Sequence, residues 1–340
     1  MLLVVTPTKN QNKNRILAAL HFKMLRKIAS LLLLFLVFVL AYILFRKNLT
    51  LTKAEVKARY TLPNSHFINW KDGELHYTES GNDSNMTVLM IHGFGGSNRD
   101  FYVLDSLINN HYHVIRIDLP GFGLSDFPFT YGKTTLHYAY AEYFSFILDT
   151  LHIDSCFVMG NSLGGLMSIE LTAQHPDKVK RLVLFNSAGY DLKEVMKSAN
   201  AHVFRYWPVK FFMKKGLPEF ITKAGIIRVA YSNRLLTAEK IKRVNSFWNR
   251  EGNLKHIVEM ANSNEPFDVS KIRNIACPVL IVWGKQDKII NVKYAERFHQ
   301  DIKGSRIIIY DSCGHVPMME KPLKVQHDVI EFLSNTSRLN

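Results

Sequence analysis

Cysteine is scarce in this 340-residue sequence. The three present, Cys156, Cys277 and Cys313, are too few and too scattered for a disulfide framework, and no CxxC pair is available to hold zinc. There is no internal repeat and no low-complexity tract, so collagen, coiled coil, zinc finger and knottin are excluded. Acidic residues are also short: 29 against 43 Lys and Arg, a net charge of +14. That excess is local. Residues 1–60 hold eleven basic residues against the single acid Glu55, and residues 191–265 hold fourteen against seven, so the rest of the chain is slightly acidic. No RNP, KH, zinc-finger or basic-zipper motif accompanies the charge, which speaks against a nucleic-acid partner and for an anionic membrane surface. What the chain does have is apolar mass. With 47% hydrophobic and 21% charged residues it can bury a sizeable core.

The run Ile28 to Phe45, IASLLLLFLVFVLAYILF, contains no charge over eighteen residues. As a helix it is about 27 Å long, near the roughly 30 Å of a bilayer core. Lys23, Arg26 and Lys27 precede it, and Arg46 and Lys47 follow where a cleavable signal would carry small residues. The sequence therefore predicts a basic tail over 1–27, a retained single-pass signal anchor over 28–45 and a connector over 46–65, with a membrane as the protein's location. Basic residues on both flanks favour a cytoplasmic N-terminus only weakly.

Beyond the connector, short apolar runs alternate with helical patterns. Strands are expected at Glu74–Glu79, Thr87–Ile91, His113–Asp118, Cys156–Met159, Leu182–Asn186, Val279–Trp283 and Arg306–Tyr310, and helices at Thr134–Leu151 and Leu163–Gln174. Repeated strand–helix units with continuously apolar strands imply an α/β fold, a mostly parallel sheet flanked by helices. The alternation breaks over 190–265, a basic, aromatic-rich stretch including Phe204, Tyr206, Trp207, Phe211, Phe212, Met213 and Phe220. It reads as a helical cap or lid inserted into a catalytic domain formed by 66–189 and 266–340.

Chemistry concentrates at Gly160-Asn161-Ser162-Leu163-Gly164, between an expected strand and an expected helix. A turn this tight requires neighbours without side chains two positions before and after Ser162, and it projects the Ser162 hydroxyl above the sheet as a nucleophile. A second glycine-rich loop, His92-Gly93-Phe94-Gly95-Gly96, follows the strand at Thr87–Ile91. The backbone N–H of Phe94 and that of Leu163 are the expected oxyanion donors. His92 itself reads as a loop-shaping residue rather than a base. Asp118 and Asp126 likewise read as residues that shape the turn between them.

A serine nucleophile needs a base, and the base an orienting acid. His315, in a loop after the strand at Arg306–Tyr310, and Asp287, just past the strand at Val279–Trp283, lie at the same sheet edge as Ser162. Asp191, beyond the strand at Leu182–Asn186, is the runner-up acid. Cys313 reads as a small buried neighbour of the base. This set needs no metal or organic cofactor.

With these motifs in hand, residues 66–335 resemble the α/β-hydrolase family through HGFGG, DLPGFGLSD, GNSLGG, WGKQD and CGHVPMMEKP. The last two, with the anchor and the basic cap, look most like its membrane-anchored monoacylglycerol lipases, while bacterial lipases and esterases are equally similar on these motifs. The resemblance implies Ser162 as nucleophile, Asp287 as acid, His315 as base, and a lipid ester as substrate. Departures matter too. The acyltransferase-like branch carries His-x4-Asp, and Glu320 takes that aspartate's place here. Asn161 also occurs in the carbon–carbon bond hydrolases of the family, which remain an alternative, as does a non-catalytic ligand-binding protein of the same fold. Dehalogenases and epoxide hydrolases use an aspartate where Ser162 stands.

Overall fold

A computed structural model describes residues 9–46, 49–127, 136–191, 194–195, 213, 215–262 and 266–335, with side chains over 20–40 of the first helix and from 138 onward in the helix that begins at 136. It divides into two compact units, Met1–Asn48 and Leu49–Asn340. The first holds helix α1 (Lys9–Arg46). Among the described residues no helix is long and apolar enough to cross a membrane. The stretch whose side chains are described, 20–40, includes Lys23, Arg26 and Lys27, and the expected span Ile28–Phe45 runs five residues past its end.

The second unit is built on eight strands: β1 (Ser65–Trp70), β2 (Gly73–Ser80), β3 (Thr87–Ile91), β4 (His113–Ile117), β5 (Cys156–Asn161), β6 (Val179–Phe185), β7 (Val279–Gly284) and β8 (Arg306–Tyr310). They form one sheet in the order β1-β2-β4-β3-β5-β6-β7-β8, parallel from β4 to β8 and antiparallel at β1 and β2. Alternation along the strands separates two apolar layers. Leu89, Ile91, Val158, Leu184 and Ile281 face one layer with Tyr140, Phe144, Leu166 and Phe298. Val88, Met90, Met159, Phe185 and Val282 face the other with Phe101, Leu104, Val325 and Phe332. Both faces are covered, which is why β3, β4, β5 and β7 are buried at every residue.

The helices of this unit are α2 (Lys53–Tyr60), α3 (Tyr102–Ile108), α4 (Leu136–Thr150), α5 (Leu163–Gln174), α6 (Glu219–Val229), α7 (Ala238–Trp248), α8 (Asn253–Asn262), α9 (Ser270–Arg273), α10 (Lys293–Asp301), α11 (Pro317–Glu320) and α12 (Pro322–Ser334). Several elements go beyond the sequence reading: β1 and the helices α2, α3, α9, α10, α11 and α12 lie where it names none, and β6 starts at Val179 rather than Leu182. Strand β1 is an edge strand with a mixed burial pattern, so its residues carry neither a continuous apolar run nor a clean alternation. Helix α2 lies inside the expected connector and starts at a capping box, Thr52 with Glu55. The connector also pairs with the segment between β6 and β7: Leu49 N–H donates to Lys215 O at 2.7 Å, and Leu51 N–H to Asn249 O at 2.8 Å.

Helices α6, α7 and α8 occupy that segment. Met213 is buried there with Leu217 and Leu254, whereas Phe220 is 58% exposed. Phe204, Tyr206, Trp207, Phe211 and Phe212 lie outside the described residues.

Candidate active site

Ser162 occupies the turn from β5 into α5, with φ +55° and ψ −116°, a strained backbone held by its surroundings. The flanking glycines are a packing requirement. A Cβ on Gly160 would collide with Ser168 Oγ and the Gly164 carbonyl, and one on Gly164 with the carbonyls of Ile91 and His92. Strand β3 is the parallel neighbour of β5, so its following loop comes down beside the serine. A Cβ on Gly93 would stand 3.1 Å from Ser162 Cβ. Among the described residues, neither the Phe94 N–H nor the Leu163 N–H is committed to a backbone bond, and the Leu163 N–H is one of the donors that a helix start leaves without an intrahelical acceptor.

Strand β6 flanks β5 on the other side, followed by β7 and β8. All end at the same edge, and their termini bring Asn186, Asp287 and His315 into line. His315 Nδ1 lies 2.7 Å from Asp287 Oδ2, with the Asp287 side chain fully buried and that of His315 6% exposed. Three further donors converge on the same carboxylate: the Ile289 and Ile290 N–H groups reach Oδ1 at 2.7 and 3.0 Å, and Asn186 Nδ2 reaches Oδ2 at 2.6 Å. These donors fix the orientation of the carboxylate toward His315. Nδ1 of His315 is thereby committed, and Nε2 is the nitrogen left to act as a base.

The loop carrying His315 is immobilised group by group. Gln286 Oε1 accepts the Cys313 N–H at 3.1 Å, and the Gln286 N–H donates to Cys313 O at 2.9 Å. The Gly314 N–H donates to Glu320 Oε1 at 2.8 Å, and Gly314 O accepts from Asn186 Nδ2 at 3.3 Å. The His315 N–H donates to Val229 O at 2.9 Å, and His315 O accepts from Asn161 Nδ2 at 3.0 Å. Every backbone donor and acceptor from 313 to 315 therefore has a partner, which is what fixes a loop without regular structure. Asn161, the residue before the serine, joins this loop to the nucleophile turn. Sequence reasoning noticed Asn161 and Glu320 only as marks of family branches, and it missed Asn186 and Gln286. An amide at the end of a strand carries no pattern that sets it apart.

The remaining candidates fall elsewhere. His92 Nε2 accepts the Leu119 N–H at 2.9 Å, so Nδ1 is protonated and donates to Gly93 O at 2.7 Å; both ring nitrogens serve the backbone. Asp191 accepts the Tyr294 hydroxyl at 2.8 Å and faces Arg297, not His315. Asp118 is buried and accepts from the Asn98 and Leu124 N–H groups and from His76. Burial opposes its charge, but His76 and the Asn98 N–H hold its carboxyl below the ordinary range. Asp126 holds Arg250 at 2.7 Å, and the Trp248 indole N–H donates to Gly95 O at 2.7 Å, so the segment between β6 and β7 braces both loops. Cys313 is buried, which pushes its thiol up to about 12; it stays a neutral packing residue.

Comparison with known proteins bears on the fold. The family profile described as alpha/beta hydrolase fold matches residues 87–322. A 2-hydroxy-6-oxononadienedioate/2-hydroxy-6-oxononatrienedioate hydrolase from Klebsiella pneumoniae is 29% identical over 284 residues, 79% of this chain and 96% of that protein. Lipase 1 of Psychrobacter immobilis is 28% identical over 265 residues, 73% of this chain and 76% of the lipase. Among solved structures, a bacterial membrane phospholipase A superposes with a TM-score of 0.66 at 22% identity, covering 94% of this chain and 98% of that one.

Proposed function

This chain belongs to the α/β-hydrolase fold family, and on that premise we propose that it is a serine hydrolase of carboxylic esters, with monoacylglycerols or similar lipid esters as substrates. The observation that carries the reading is the buried pair of Asp287 and His315 at 2.7 Å, with the His315 loop tied to Asn161, the residue before Ser162. His315 Nε2 takes the Ser162 proton as Oγ attacks the ester carbonyl. The Phe94 and Leu163 N–H groups stabilise the resulting oxyanion, and Asp287 holds the imidazolium. Collapse expels the alcohol, protonated by His315, and leaves an acyl-serine. Water, deprotonated by the same nitrogen, then releases the acid and restores the hydroxyl.

A lipid-like acyl group is supported by the lipase relative, and attachment to a membrane by the uncharged run Ile28–Phe45 between basic flanks. A second reading, hydrolysis of a carbon–carbon bond in a vinylogous keto acid, is favoured by the Klebsiella relative. Two assays separate the readings: a fluorophosphonate that labels wild type but not Ser162→Ala establishes the nucleophile, and turnover of a p-nitrophenyl ester against a 2-hydroxy-6-oxo-dienoate establishes the bond cleaved. Wild type that resists the probe and spares both substrates sinks the enzymatic proposal.

A further inference from the structure

Glu320 stands outside the proposed catalytic set, yet both of its carboxylate oxygens are committed to backbone. Oε1 accepts the N–H of Gly314, the residue before His315, and Oε2 accepts the N–H of Tyr231, each at 2.8 Å. Tyr231 lies just past the end of α6, in the segment between β6 and β7. The same two elements also meet directly, since the His315 N–H donates to Val229 O at 2.9 Å. Their approach is close enough to require glycine at 314, where a Cβ would stand 2.7 Å from Tyr231 N and 2.8 Å from Val229 O.

A carboxylate suits this place for a chemical reason. Two N–H groups converge on one side chain, and a carboxylate offers two acceptor oxygens with no donor. Glutamine, though isosteric, offers one oxygen and would turn its NH₂ toward the other N–H. The short helix α11 places Glu320 immediately after the histidine loop, so one oxygen closes that loop on itself and the second reaches the end of α6.

We propose that Glu320 is a positioning residue that couples the seating of the α6 end to the alignment of His315. With α6 seated, Glu320 and Val229 fix the two peptide groups that flank Gly314, and the imidazole is held for proton transfer. With α6 displaced, the His315 N–H loses its acceptor and Glu320 loses one of its two donors, so the base loosens while Asp287 and Ser162 are untouched. The inference rests on the Ser162–His315–Asp287 reading above.

The test compares Glu320→Gln, Tyr231→Pro and the double variant. Tyr231→Pro removes the donor on the α6 side together with the phenol ring, so Tyr231→Ala, which keeps the N–H, is its control and should behave as wild type. Ala230, with φ −92° and ψ 148°, already has a backbone compatible with a following proline. Fluorophosphonate labelling rates, normalised to the total sites finally labelled, exclude any unfolded fraction. The expected result is a fall of about tenfold or more in labelling rate and in kcat for Glu320→Gln, with KM for a short ester little changed. Tyr231→Pro should show a similar fall, and the double variant no more than the larger single effect. Wild-type labelling rates in both single variants, or a lowered Tm with unchanged kcat per labelled site, overturn the proposal. So does an additive double variant, because the two residues would then act separately. A failure of the underlying reading is distinct: it appears in the unmutated protein, as absence of labelling at Ser162.

Discussion

The amide of Asn186 meets the carboxylate of Asp287 at 2.6 Å, on the same oxygen that receives His315 Nδ1. Strand β6 lies between the serine strand and the acid strand, so the residue that follows β6 fills the space between their loops. Asn186 does so at φ +43°, a conformation asparagine tolerates better than most residues. Its Oδ1 accepts the Gly284 N–H at 3.2 Å, which orients the amide so that its NH₂ faces Asp287.

Asn186→Ala is therefore expected to lower kcat while the protein still folds. A hydrogen bond to a charged group contributes about 1.5–3 kcal/mol, which corresponds to a loss of about 10–100-fold. Steady-state kinetics beside a thermal melt check this, and an unchanged kcat would show that the backbone donors at Ile289 and Ile290 suffice to hold Asp287.

Asp287→Asn should cost about 10⁴-fold in kcat, because an amide cannot hold the histidine tautomer that leaves Nε2 basic. Asp191→Asn should cost little. Its carboxylate serves Tyr294 and Arg297 on α10. Parallel rate measurements decide between them, and a larger loss in Asp191→Asn would reassign the acid.

His256 gives the fold a dependence on pH. Burial lowers its pKa from 6.5 to about 3, beneath the stacked ring of Phe127 at 4.0 Å and beside Phe122. Between those two values the unfolded chain holds a proton on this residue that the folded chain does not. Stability is accordingly lost as pH falls from 6.5 toward 3, at up to about 1.4 kcal/mol per pH unit. Denaturant midpoints measured across that range should drop with acid in wild type and drop less in His256→Phe. Identical slopes would show that other groups carry the acid sensitivity.

If the run Ile28–Phe45 anchors the protein as proposed, removing residues 1–48 should release it from membranes. The proposed ester hydrolysis should survive, since the second unit begins at Leu49 and holds every residue of the candidate site. Cutting to residue 52 should do more harm. It deletes the bonds of Leu49 and Leu51 to Lys215, Asn249 and Glu251, and the Thr52 cap of α2, so its Tm should fall below that of the shorter truncation. Membrane fractionation and melting curves read both effects. A shorter truncation that still sediments with membranes would place the attachment surface beyond residue 48.

Local sequence was enough for the nucleophile turn and for most of the sheet. The strand ranges Thr87–Ile91 and Arg306–Tyr310 and the helix Leu163–Gln174 coincide with the structure. Strand β3 is covered on both faces and so must be apolar throughout. The partly exposed edge strand β8 is marked by its β-branched run Ile307–Ile309, and α5, buried from Gly164 to Thr172, is set apart from a strand by the length of its apolar run. Gly160 and Gly164 were legible for a similar reason: the tightness of the turn leaves no choice of residue. Position at strand ends also sufficed to nominate Asp287 and His315, since parallel strands finish at one edge. Other features depended on contacts that no local pattern encodes. Edge strand β1 is paired on one side only, and its mixed polarity leaves no signature. The partners of the histidine loop, Asn161, Asn186, Gln286, Glu320 and Val229, come from five separate places in the chain, and each looks ordinary in its own context. What gives them a role is the order β5-β6-β7-β8, which stacks four strand ends side by side, and the segment between β6 and β7, which returns α6 to the same edge. Hydrogen bonds act over about 3 Å of space, and only the folded chain brings residues 154 positions apart, such as Asn161 and His315, within that distance.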